Sequence, residues 1–557
     1  MSVVERVFGQ LIIHGYNVVM SNLFNPDYTL YKRSVDSEIH IDKSLLIRET
    51  NRLLSTDDLY VCVSRPRRFG KSMAAHMLMA YYSRGCDARE IFKDKKIASE
   101  PSFERHLNKY NVIHLVMTDY VGMGIAAMKA EVLSAMKIDI EDEVENLAAR
   151  PEFNSKRPFR FRNENNINQV LQDFADYSGA PFVFIIDEWD ALMRETAEDE
   201  KAQKEYLDFL KVLLKDKPYV ALAYMTGILP VKKYGAQSAL NMFTEYSMER
   251  ARPFSEYFGF TKDEVAGLCG HYNLDMNEVT RWYDGYLVDE IHIYNPRSLV
   301  LACRNARCDN YWTRTETYEA LKRYIVLDVD GLREKVNSLI AGGAVTVNTL
   351  LFQNDMINYH SADDVLTLLI HLGYLTYDNR AKTCWIPNNE VAVEFVNSIE
   401  HEQSWMPVMK ALEDSERCLK ALLAGDGETV AALVERCHQE NTSIIRYNDE
   451  NSLACVVALA FYTARNRYFT FRELPSGKGY ADIAFIPRPG ENLPALVIEL
   501  KAEKSASIAL DQIRHREYPA ALADFTGEMV LAGINYSTDS ADDGYKHHTC
   551  IIERWCK

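Results

Sequence analysis

The sequence predicts an α/β protein. An N-terminal parallel sheet carries a phosphate-binding loop, a helical middle holds a small winged-helix-like element, and a second, smaller α/β block closes the chain. Three observations predict this. Over roughly the first 300 residues, short near-continuous apolar runs alternate with longer helical stretches, the pattern of parallel strands covered on both faces. One such run, 59–63, leads into Ser64-Arg65-Pro66-Arg67-Arg68-Phe69-Gly70-Lys71-Ser72 and a helical stretch from Met73, a strand–loop–helix layout. The C-terminal part, about 110 residues, repeats the α/β alternation around Asp482 and Glu499-Leu500-Lys501.

A chain of 557 residues is too long for one hydrophobic core. The expected division is 1–300 around the loop, 301–440 for the helical middle and 441–557 for the last block. Hydrophobic residues make up 47% and charged ones 26%, which excludes a disordered chain. The net charge of -17 argues against a basic coat for nucleic acid but leaves local basic grooves open. The apolar patch Leu11-Ile12-Ile13 is interrupted by His14, Asn17 and Asn22. No signal-peptide pattern or spanning run is expected, so no membrane partner follows. The eleven cysteines are scattered, without a C-x-x-C pair, and fit buried thiols in a reducing cytoplasm.

In chain order, strands are expected at 59–63, 112–117, 182–186 and 220–225, and a polar surface helix and loop over 141–168. Helices follow from about 310, ending in a hairpin formed by 373–377 and 383–386 around Asp378-Asn379-Arg380. A helical connector covers 391–441. The last block reads as a helix at 451–464, strands at 468–474, 480–486 and 495–500, and turns at 476–479 and 487–490.

The loop needs exposed backbone N–H groups ahead of a helix N-terminus, with Gly70 for its tight turn, to hold an anion. Lys71 is placed for β/γ-phosphates and the Ser72 hydroxyl for Mg²⁺. Arg65 stands where the usual pattern has its first glycine. Arg65, Arg67 and Arg68 are either solvated charges or guanidinium groups beside the polyphosphate. The strand at 182–186 ends in Asp187-Glu188, a pair suited to holding Mg²⁺ and polarising an attacking water. Thr226, at the end of the strand at 220–225, reads equally as a γ-phosphate sensor or a strand cap.

Glu499 and Lys501 are two apart in a strand and share one face. Asp482, seventeen residues before Glu499, can return beside it by a hairpin. Two hard oxygen ligands suit Mg²⁺, with Mn²⁺ as the alternative, and Lys501 can orient water or stabilise a phosphorane. A cross-strand salt bridge is the plain alternative. Cys437-His438 and His547-His548-Thr549-Cys550 lack convincing ligand spacing and read as core cysteines and surface histidines. Trp282 to Tyr286 and Tyr311-Trp312 read as packing residues.

The loop resembles that of a bacterial AAA-ATPase-like family with arginine at the first glycine position. Further matches are Ile41-Asp42-Lys43-Ser44, Asp187-Glu188, Met225-Thr226-Gly227-Ile228-Leu229-Pro230, Phe258-Gly259-Phe260-Thr261, Trp282-Tyr283-Asp284-Gly285-Tyr286, Tyr294-Asn295-Pro296, Gly342-Gly343 and Gly373-Tyr374-Leu375. In that family a PD-(D/E)XK nuclease-like domain commonly follows a P-loop NTPase domain. The resemblance implies ATP bound by Arg65, Arg67, Arg68, Phe69, Gly70, Lys71, Ser72, Asp187 and Thr226, with Glu188 catalytic. It also implies a restriction-endonuclease-like fold in which Asp482, Glu499 and Lys501 cut nucleic acid, DNA above RNA. Gln512 lies on the following helix, and Glu450 and Glu473 compete as accessory acids. ATP gating a Mg²⁺-dependent nuclease, with copies assembling through the ATPase part, is the leading reading. A scaffold NTPase whose nuclease-like domain only binds a partner, or a motor gripping DNA, are the alternatives.

Overall fold

Residues whose apolar runs are covered on both faces become the strands of a parallel sheet. The computed structural model describes residues 23–555 except 151–152, 154–157, 197, 232–239, 313–317, 328, 353–358, 360, 401, 403–404, 441–449, 477–478, 488–490, 503, 516–526 and 538–546. The apolar patch at 11–13 and parts of the two C-terminal turns lie outside these residues. So does Tyr518. The chain forms two compact units: 1–311 with 348–359 and 366–382, and 312–347 with 360–365 and 383–557.

In the first unit, β1 (Tyr60–Ser64), β2 (Asn111–Val116), β3 (Phe182–Asp187), β4 (Val220–Gly227) and β5 (Thr244–Tyr246) form one parallel sheet in the order β2-β3-β4-β1-β5. Val61, Val63, Val183, Ile185, Leu222 and Tyr224 pack with the helix Lys71–Tyr82 on one face. Cys62, Phe182, Phe184, Ile186, Ala223 and Met225 pack on the other, beneath Ile125–Ala148, Ile167–Ser178 and Glu200–Leu214. Strand alternation therefore sets Asp187 and Thr226 on the face of the loop's own helix. The chain leaves β1 for the far edge at β2 and returns through β3 and β4 to β1's side. The carboxyl ends of β1 and β4 then form the crevice where ligands of open α/β sheets lie.

The long helix Ile125–Ala148 begins well before the expected polar segment, and 158–166 is irregular. A second layer of the first unit is a small antiparallel sheet, β6 (Phe260–Thr261), β7 (Tyr286–Val288) and β8 (Ile291–Tyr294), in the order β6-β8-β7. The helices Lys262–Tyr272, Met276–Tyr283 and Pro296–Asn305 surround it. Asn295 caps the last of these by accepting from the Arg297 and Ser298 N–H groups at 3.0 and 3.4 Å.

The middle is helical, as expected, with Tyr318–Ile325, Leu332–Ile340 and Ala362–Leu372, and carries β9 (Val345–Thr346), β10 (Thr376–Asp378) and β11 (Thr383–Trp385). Asn389–Ile399, Met406–Ala424 and Gly427–Glu440 make up the connector.

In the second unit, β12 (Tyr468–Ser476), β13 (Gly479–Pro487), β14 (Ala495–Ala502), β15 (Met529–Ser537) and β16 (His547–Trp555) form a mixed sheet in sequence order. Only β14 and β15 run parallel, joined through the helix Ala506–His515. Ala495, Val497, Leu510, Ile513, Met529 and Leu531 bury that helix on the sheet. Among the described residues no helix is long and apolar enough to cross a membrane.

Candidate nucleotide and phosphodiester sites

The loop between β1 and the helix Lys71–Tyr82 turns through two left-handed residues, Arg68 at φ 68° and Gly70 at φ 89°. A Cβ on Gly70 would meet nothing within 4 Å, so glycine is there for its backbone conformation. Lys71 is buried, and its Nζ donates to the Arg65 and Pro66 carbonyls at 2.9 and 3.0 Å. Burial pulls its pKa down to about 8, against the opposing pull of Asp190, Asp187 and Glu188.

Arg65 departs from the phosphate-contacting role. Its side chain is 0% exposed and Nη1 donates to the Ser64 and Tyr246 carbonyls, both at 2.8 Å. Its guanidinium lies over the Phe258 ring at 5.3 Å, and burial lowers its pKa to about 10. The reason is local. Residue 65 continues β1 inward, its N–H bonded to the Gly227 carbonyl, so its side chain enters the interior beside β5. Arg67 and Arg68 instead line an open cavity of about 560 Å³ with Phe69, Gly70, Lys71 and Ser72.

Glu188 reaches the wall of that cavity, its backbone left-handed at φ 52° and its carboxylate 3.8 Å from Arg194 Nη2. Such strained residues gather at functional sites. Asp187 lies below, 3% exposed, and its Oδ1 accepts from the Thr226 hydroxyl and from the Glu188 N–H. The register of β3 and β4 brings Asp187 and Thr226 together, which links the expected sensor to the acidic pair. Asp190 was not anticipated. It is fully buried, accepts from the Leu229 N–H at 3.1 Å and pairs with Arg194 Nε at 3.4 Å, fixing the turn after β4.

The rest of the cavity wall includes parts of the motifs 41–44, 258–261 and 294–296, which sequence reasoning matched to the family without placing them at the site. It comes from 31–43, 257–260 and 296–304, with Tyr31, Ile39, Ile41 and Phe260 apolar and Arg297 and Arg304 cationic. The motif at 41–44 explains part of this. Asp42 accepts from the Ser44 and Lys96 N–H groups at 2.9 and 2.7 Å, and Lys43 Nζ pairs with Glu264 at 2.6 Å. A buried lysine, a side-chain hydroxyl at a helix start and two acids at strand ends form a donor set that fits a nucleoside polyphosphate with a hard divalent ion.

In the second unit, antiparallel pairing of β13 and β14 runs to Ile483↔Ile498 and stops. One step further, Asp482 stands opposite Glu499. Its Oδ2 accepts the Leu500 N–H at 2.7 Å, where continued pairing would have used a main-chain carbonyl. Glu499 and Lys501 are buried on the face under Ala506–His515. Lys501 Nζ donates to Glu499 Oε1 at 3.0 Å and to the Leu500 carbonyl at 2.8 Å, and Gln512 Nε2 also donates to Glu499 Oε1. Asp482, Glu499, Lys501 and Gln512 therefore converge. Two carboxylates on adjacent strands fit a hard oxygen-bound cation completed by water. Glu450 opens the helix Glu450–Ala460 and Glu473 lies in β12; their side chains are outside the described residues.

Gly533 is a second residue that sequence reasoning missed. It pairs with Glu499 across β14 and β15, and a Cβ there would lie 2.3 Å from the Ala506 carbonyl oxygen and 3.0 Å from Ala509 Cβ. A glycine inside the apolar run 529–534 was the available signal. Two of the three histidines expected on the surface are inside: His438 and His548 are 1% and 6% exposed, with ring nitrogens 3.0 Å apart. The helix Gly427–Glu440 packs on β16 and carries His438 there. Among the described residues no group of three or more His, Cys, Asp or Glu is arranged for a metal.

Comparison with known proteins follows this geometry. Residues 32–236 match the family model described as predicted AAA-ATPase, and residues 448–542 match that of the PD-(D/E)XK nuclease superfamily. An uncharacterized protein in the vnfD 5′ region of Azotobacter chroococcum mcd 1 is 24% identical over 324 residues, which span 56% of this chain and 56% of that protein. Among solved structures, the Aeropyrum pernix ORC2 protein in its ADPNP-ADP complexes is 13% identical, with a TM-score of 0.31 over 67% of this chain and 98% of its own. DnaA from Aquifex aeolicus, bound to AMPPCP, is 14% identical, with a TM-score of 0.23 over 67% and 92%. The chain thus combines an AAA-ATPase-like P-loop region with a PD-(D/E)XK nuclease-like region.

Proposed function

We propose that this chain, with its AAA-ATPase-like and PD-(D/E)XK nuclease-like regions, is an ATP-controlled phosphodiesterase that cuts nucleic acid, DNA being the favoured substrate. The observation that carries the reading is the convergence of Asp482, Glu499, Lys501 and Gln512 within a chain whose other unit aims Lys71, Ser72 and Glu188 at one cavity. The backbone N–H groups of the loop and the ammonium of Lys71 hold the phosphates, and Arg67 and Arg68 add charge at the wall. Glu188 orients the attacking water, and Thr226 reports on the γ-phosphate through Asp187. The apolar wall at Tyr31, Ile39 and Phe260 takes the base.

At the other site Lys501 holds water or the developing phosphorane charge, and Gln512 fixes the Glu499 carboxylate. Divalent metal, when bound by Ser72 and Asp187 or by Asp482 and Glu499, supplies Lewis-acid neutralisation of phosphoryl charge. Gating by nucleotide keeps such an activity from its host's own DNA, in the cytoplasm, with copies associating through the ATPase region. The domain division 1–300, 301–440 and 441–557 belongs to the same proposal.

The test is purified chain against linear, circular and single-stranded DNA and RNA, with Mg²⁺ or Mn²⁺, with and without ATP, beside Lys71→Ala. Metal-dependent cutting that changes with ATP and loses that dependence in Lys71→Ala is expected. ATP binding with no cutting of any substrate would leave a scaffold NTPase instead.

A further inference from the structure

Parts of the motifs 258–261, 282–286 and 373–375 join in one chain of contacts that starts at a loop residue. Phe69 lies between the left-handed Arg68 and Gly70, so any change of the loop's turn must move it. Its ring is 1% exposed and packs edge-on against Tyr286, with centroids 5.0 Å apart and planes at 87°. Its carbonyl accepts the Gly259 N–H at 2.9 Å. Tyr286 is fully buried at the start of β7, and its hydroxyl donates to the Gly373 carbonyl at 3.0 Å. The next residue, Leu287, donates its N–H to the Thr376 hydroxyl at 2.8 Å. Six residues after Thr376, beyond Lys382, the chain passes from the first unit into the second.

We propose that Tyr286 is a positioning residue tying the turn of the nucleotide loop to the segment 373–376, through Phe69 at its ring, Gly373 at its hydroxyl and, one residue on, the Leu287 N–H bonded to Thr376. The inference rests on the reading of the loop as nucleotide-binding and adds the route by which its state leaves the loop. The physical basis is packing. A buried edge-to-face pair in an interior at crystal-like density has no slack, so a shift of Phe69 displaces the partner ring. The hydrogen bond at the ring's far end is directional and passes that displacement to one carbonyl.

The test is hydrogen–deuterium exchange of the full chain with and without ADP or a non-hydrolysable ATP analogue, in wild type, Tyr286→Phe and Thr376→Val. The two variants cut the relay at different bonds, and Tyr286→Phe keeps the ring on Phe69. In wild type, nucleotide should change exchange at 371–378 by roughly threefold or more. In both variants nucleotide affinity should stay within about twofold of wild type while that change disappears. A wild-type chain that binds nucleotide with no change at 371–378 overturns the relay alone. So do variants that respond as wild type does, or that exchange faster by the same factor in both states, as a merely structural role predicts. A wild-type chain that binds no nucleotide overturns the nucleotide reading and the relay with it.

Discussion

At the scale of single residues, two buried cations decide how the loop behaves. Lys71 ionises near 8 because it is buried, and a bound phosphate favours its charged form. Binding must therefore take up a proton once the solution is above that value. Nucleotide Kd should be flat below about pH 7 and rise by up to about tenfold per pH unit above about 8. Calorimetry in buffers of different ionisation enthalpy measures the uptake, and a constant Kd from pH 7 to 9.5 would contradict it. Arg65 acts differently, since its guanidinium joins the Ser64 and Tyr246 carbonyls inside the fold. Arg65→Met should lower stability by about 3 kcal/mol, seen in thermal unfolding, because two buried carbonyl contacts are lost and a void is left. Stability equal to wild type would return Arg65 to the surface role that its charge suggested.

At the scale of elements, two glycines are required for different reasons, one for its backbone conformation and one for the room it leaves. Gly70→Ala meets no steric obstacle but must hold φ 89°, at a cost of about 1–2 kcal/mol. It should weaken nucleotide binding by roughly five- to thirtyfold while the melting temperature moves only a few degrees. Gly533→Ala faces the opposite problem, because its Cβ meets the backbone of the helix Ala506–His515. That helix must move away from β15, taking Gln512 from Glu499. Cleavage should fall at least tenfold with ATP hydrolysis unchanged, measured on the same preparation. Strand prediction divides along related lines. β1 to β4 lie within two residues of expectation because burial on both faces leaves continuous apolar runs. β5 to β9, β15 and β16 were not anticipated: β5 and β16 are edge strands whose residues are largely half-buried or exposed, β6 to β9 are only two to four residues long, and β15 is a buried central strand whose apolar run is broken by Gly533.

At the scale of the whole molecule, the two sites should be separable by substitution, since each is built from its own unit. Lys501→Ala should abolish cutting and leave ATP hydrolysis within about twofold, and Lys71→Ala should abolish hydrolysis. Retained cutting in Lys501→Ala would remove the assignment of that site. The sequence alone determined the strand–loop–helix around Lys71, the acids ending β3 and the shared face of Glu499 and Lys501. Each is a matter of residues near in sequence, where backbone periodicity fixes direction. Tertiary structure decided what lies far apart in the chain. It turned Arg65 inward beside β5, joined Thr226 to Asp187, set Asp482 opposite Glu499 and gathered Phe69, Tyr286 and Gly373. Those contacts depend on strand order, register and the room left by small residues, and local periodicity carries none of that information.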